Sequence, residues 1–201
     1  MVIQVQTTSK HWNYFLCVED DLLRVSRWIE FAEPNFSCFS LELARLLMVC
    51  ASEVDVVAKA ICRELNRDTN PSNIIQYQHV LTDAFPTLHS TRVDVPRFGL
   101  TLTPWTNWSR ASTPPLWWTA NNRVKHHRSE HFSEANLSNV LNAAAGLFLL
   151  LLLNLGLRER SIGPVPQLFE PTDFAYRDGD ALCVYHRTRP NLPFSIPKEV
   201  S

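Results

Sequence analysis

The chain has 201 residues, 45% of them hydrophobic and 19% charged, with a formal net charge of −1. That balance belongs to a globular protein long enough to bury about 70% of its unfolded surface without disulfides or metals as staples. A near-neutral chain has no global field to recruit nucleic acid, so any such binding must come from a local patch.

Cys17, Cys38, Cys50, Cys62 and Cys183 are odd in number and form no C-x-x-C pair. The spacing predicts reduced thiols in a cytoplasmic protein. The first residues, MVIQVQTTSKHWNY, lack the apolar core of a secretory signal. Five glycines and thirteen prolines, the prolines falling mostly between apolar stretches, predict long helices joined by proline-marked connections.

A first helix is predicted over residues 12–32, with Phe15, Leu22, Val25 and Ile29 on one stripe and Pro34 just beyond. Ser40 is an N-cap candidate, with Glu42 favourable in the first turn. The pattern from Leu43 through Leu46, Leu47, Cys50, Val54, Val57, Ala58 and Ile61 to Leu65 makes the strongest helix of the chain. Asn70–Pro71 is read as the start of a third helix, with Ile74, Tyr77, Leu81, Ala84 and Phe85 inward and Pro86 as its stop. Residues 87–115 alternate around Phe98, Leu100 and Leu102 and are expected to form a short strand or an extended arm. Pro114 and Pro115 introduce a fourth helix through LWWTANNRVKHHRSE, and Ser133 is a cap candidate for a fifth over about 134–158. That last helix contains AAAGLFLLLLL, residues 143–153, which is short of the ~20 residues needed to span a bilayer. It is read as a helix buried on every side, with no membrane contact. The tail is expected to be non-helical, with a hairpin at Asp178–Gly179. The expected fold class is all-α: one domain over residues 1–201, a bundle of about five helices over 12–158, the arm at 87–115, and a non-helical tail at 159–201.

The densest titratable cluster lies directly before the apolar helix. NNRVKHHRSEHF, residues 121–132, holds three histidines, two arginines and a lysine. On a helix, Trp117, Ala120 and Val124 face the core, while Asn122, Lys125, His126 and Ser129 share roughly the opposite face. Arg123 and His127 are i, i+4 neighbours. Three chemistries fit. A histidine can take a proton from a ribose 2′-hydroxyl while Lys or Arg stabilises the phosphorane, with no metal needed. His127 and His131 have helical metal-ligand spacing, with Glu130 and Glu134 close in sequence, but a third ligand cannot be assigned and no cofactor is expected. Or the cluster is a solvated structural face. Glu53 borders the buried stripe of the second helix and wants a partner. The expected suppliers are Asn122, Arg123, Lys125 or His126; otherwise Glu53 reaches solvent. Trp105, Trp108, Trp117 and Trp118 are expected to pin the arm to the core rather than stack bases. No glycine-rich phosphate loop or G-x-S-x-G occurs.

The helical order, SLELARLLMVCASEVDVVAKAIC, and WWTANNRVKHHR before an Ala/Leu-rich last helix resemble HEPN-like proteins over roughly residues 12–158. These are small prokaryotic all-α domains of toxin–antitoxin, abortive-infection and other defence systems. The resemblance implies a helical bundle, homodimerisation through the motif-bearing helices and, in active members, a metal-independent endoribonuclease. The family motif is Arg, about four to six residues, then His. Here Arg123 precedes His126, His127 and His131 at other spacings, and Lys125–His131 has the spacing with Lys for Arg. Asn122, Lys125 and His126 match a variant Asn-x-x-Lys-His element. The candidate site is therefore His126 as base, Lys125 and Arg123 on the phosphate, Asn122 orienting, with His131 and Glu53 beside them. The expected partners are RNA, a second copy and an antitoxin. The other reading is a non-catalytic interaction module in which the cluster is structural.

Overall fold

Helix α2, Leu41–Leu65, is the plainest case of sequence dictating structure. The side chain of Ser40 accepts from the Leu43 amide at 3.1 Å, closing the first turn, and Glu42 sits there as anticipated. Leu43, Leu46, Leu47, Cys50, Val54, Val57, Ala58 and Ile61 are all fully buried. A computed structural model describes residues 10–157, 161–171 and 175–184. Within them the remaining helices are α1 (Lys10–Val25), α3 (Ile74–Ala84), α4 (Leu116–His126), α5 (Arg128–His131) and α6 (Leu137–Leu157).

The chain is not all-α. The described residues are mostly helical, at 62%, and two small antiparallel sheets add to it. β1 (Val93–Val95) pairs with β2 (Leu100–Leu102) and, on its other edge, with β4 (Glu170–Pro171). β6 (Ala181–Val184) lies between β3 (Ser161–Ile162) and β5 (Ala175–Asp178). The expected arm is thus a hairpin, turned at Gly99 with φ of +63°. The tail hairpin turns where Asp178–Gly179 indicated, with Gly179 at φ +57°.

Helix α6 is apolar all round, and such a helix must be buried. By length and composition it could cross a membrane, with 21 residues of hydropathy 2.2, yet 83% of its apolar window is buried inside the protein. It packs most extensively against α2, and also against α1 and α4. Phe148 stacks on Phe15 at 5.3 Å and lies 6.1 Å from Phe169 of the tail. The tail therefore belongs to the core: Ile162, Leu168, Phe169, Ala175 and Leu182 join one cluster that begins at Trp12. The boundary at 158 marks the end of helix, not of the core.

The element edges shift for local reasons. α1 stops at Val25 instead of 32, because the amides of Arg27 and Trp28 turn to carbonyls three residues back, and Trp28 is left 87% exposed. α3 starts three residues after Pro71, where the Asn73 side chain accepts from the amides of Ile75 and Gln76. The single helix expected through 130 breaks at His127 (φ −137°, ψ 47°) into α4 and α5. α6 starts at Leu137, after the Ser133 cap candidate: Asn136 accepts from the Asn139 amide, and the amides of Leu137 and Ser138 donate to Cys38 and Phe36.

Candidate functional site

Helix α4 is fixed by its buried face. Trp117, Ala120, Asn121 and Val124 point inward. The Trp117 indole donates to the Pro104 carbonyl at 2.8 Å and meets Trp105 edge-on at 5.3 Å. Trp105 lies 4.2 Å from Trp108. Of the four tryptophans expected to pin the arm, Trp105, Trp108 and Trp117 are buried in the core, with Gly146 of α6 against Trp117 and Trp105, while Trp118 is only half-buried.

The 3.6-residue period then sets the outer face. Trp118, Asn122 and His126 form one i, i+4 row, and Thr119, Arg123 and His127 form the next. Ile74 at the start of α3 and Pro114 face these rows, and the eight side chains line an open cleft of about 330 Å³. Asn122, Arg123, His126 and His127 are exposed, Trp118 and Thr119 half-buried. No lining residue is acidic. Arg123, Lys125 and His126 occupy the last turn of α4, where the helix dipole favours cations.

Of the predicted site residues, the cleft brings together Asn122, Arg123 and His126. Lys125 is exposed on α4 but is not among the lining residues. His131 lies apart: its Nδ1 meets Glu134 Oε1 at 2.9 Å, and Arg123 reaches the same oxygen at 3.1 Å. Glu53 is a correction. It meets none of the four α4 residues and instead accepts from His11 Nδ1 of α1 at 2.6 Å. Glu53 sits on the side of α2 turned to α1, so the stripe-edge argument found a half-buried, partnered carboxylate but assigned it the wrong neighbour. The neighbouring Asp55 holds Lys59 at 2.6 Å and accepts from the Tyr77 hydroxyl at 2.8 Å.

The sequence reading missed His127 as a site member, although its row with Arg123 was visible. It also missed Trp118, Ile74 and Pro114 as cleft walls, because no local pattern says that the start of α3 faces α4. Among the described residues, no three His, Cys, Asp or Glu side chains come together as a metal site. Compared with protein-family models, curated proteins and solved structures, the chain gives no match.

Proposed function

We propose that this is a HEPN-like protein that binds RNA and cleaves it without a metal, acting in the cytoplasm in bacterial defence or as a toxin. One observation carries the reading: an exposed histidine pair, Arg123 and Asn122 share a cleft that contains no carboxylate. His126 takes the proton of a ribose 2′-hydroxyl, whose oxygen attacks the adjacent phosphorus. The 5′-oxygen leaves with a proton from His127, and a 2′,3′-cyclic phosphate remains. Arg123 neutralises the phosphorane charge, and Asn122 orients His126 or the ribose. Arg123 and His127 line the cleft and Lys125 does not, which supports Arg123 with His127 as the phosphate holder. A homodimer and an antitoxin partner belong to the same proposal.

The test is cleavage of a labelled RNA pool in EDTA by wild type and by His126→Ala, after both are checked for folding. The proposal predicts cyclic-phosphate ends from wild type alone. The second reading, a non-catalytic interaction module, draws on the Arg123–Glu134–His131 pairing, which ties part of the cluster into the scaffold. It predicts no cleavage by either protein and a lower melting temperature when Glu134 is replaced.

A further inference from the structure

The cleft has two unlike walls. Asn122, Arg123, His126 and His127 make one polar and cationic; Trp118, Ile74 and Pro114 make the other apolar. Catalysis at a phosphate uses only the first. The second is apolar surface beside it, with Ile74 buried and Pro114 and Trp118 half-buried, and the Trp118 ring lies edge-on to Trp117 at 77° and 5.9 Å.

We infer that the apolar wall seats one unpaired nucleobase, stacked on Trp118, of the strand whose phosphate the polar wall holds. The inference rests on the RNA reading above and adds the side chain that seats a base, Trp118. Three features agree. Trp118 shares one i, i+4 row with Asn122 and His126, one helical turn (about 5.4 Å) from the first and two (about 11 Å) from the second, so a base seat and a phosphate seat lie along one groove. The volume, about 330 Å³, lies at the small end of ligand sites and suits one nucleotide, not a base pair. Aromatic side chains interleaved with cations are how single strands are held, because every base offers a π-face and every linkage a charge. In a duplex the base is already stacked on both faces and cannot enter.

The experiment uses the full chain and an uncleavable 2′-O-methyl oligouridylate, with binding read by fluorescence anisotropy. A same-length oligomer with abasic sugars and a base-paired hairpin are the comparisons. Wild type is expected to bind the single strand about 5- to 150-fold more tightly than the abasic oligomer, the ratio that a single stacked base supplies. Trp118→Ala should bring the two affinities together, and Trp118→Phe should keep most of the difference. Equal wild-type binding of the normal and abasic oligomers, or a preference for the hairpin, overturns the base slot and leaves the RNA reading standing. Failure of wild type to bind any of the three overturns both. If Trp118→Ala does not fold, the abasic comparison on wild type and Trp118→Phe decides.

Discussion

Glu19 shows what a single residue can report about the fold. It is 2% exposed, and its carboxylate accepts from the backbone amides of Gln167, Leu168 and Phe169, pinning the tail to α1. Burial raises its pKa, against the lowering effect of those three amides. A carboxyl whose folded pKa is raised gives its full stability below the unfolded value, near 4.3, and loses it as pH climbs through the folded value. Wild type should therefore lose stability relative to Glu19→Gln as pH rises from about 4, measured by denaturant unfolding at stepped pH. Glu19→Ala, which strands the three amides, should cost about 2–4 kcal/mol. Cysteines report burial in the same way. Burial pushes the Cys50 thiol up to about 12 and Cys62 to about 11. A thiol reagent at neutral pH should label exposed Cys17 in the native protein, and Cys50 and Cys62 only after unfolding. Helical spacing puts Glu19 inside the buried stripe, between Phe15 and Leu22, so its burial follows from the sequence; its partners, about 150 positions away, do not.

At the scale of elements, the α4–α6 contact is the most constrained. A Cβ on Gly146 would stand 3.2 Å from Trp117 and 3.4 Å from Trp105. Gly146→Ala should be close to neutral, since its gain in helix propensity of roughly 1 kcal/mol offsets the crowding. Gly146→Leu should cost about 1–3 kcal/mol or more in a thermal melt, because two buried indoles cannot yield. Long amphipathic elements were legible because periodicity is local: the stripe of α2, the inward set of α3 from Ile74 to Phe85, and the Gly179 turn all stand as read. The α1 and α3 edges moved for local reasons, but the start of α6 traces to a tertiary partner. Asn136 starts α6 because the loop at Phe36 and Cys38 supplies carbonyls to its first amides, which no pattern around Ser133 could announce. β4 has two residues and exists because β1 offers an edge.

For the whole molecule, a net charge of −1 means that phosphate binding must be local. With Arg123, His126 and His127 as the contact set, the logarithm of RNA affinity should fall with the logarithm of salt at a slope of about −1 to −2 for a single strand. A basic face larger than the cleft would give a steeper line. Replacing Glu134 by Gln removes the carboxylate that competes for Arg123, so RNA binding should tighten a few-fold while stability falls by less than about 1 kcal/mol. The candidate site was legible as far as one helix could carry it. Asn122, Arg123 and His126 come together because helical spacing alone requires it, whereas Glu53 and the Ile74–Pro114 wall depend on how helices cross. The most direct test of the central claim remains cleavage of labelled RNA in EDTA by folded wild type and folded His126→Ala. Cyclic-phosphate products from wild type and none from the variant are predicted; equal cleavage by both, or none by wild type under any salt condition, would contradict it.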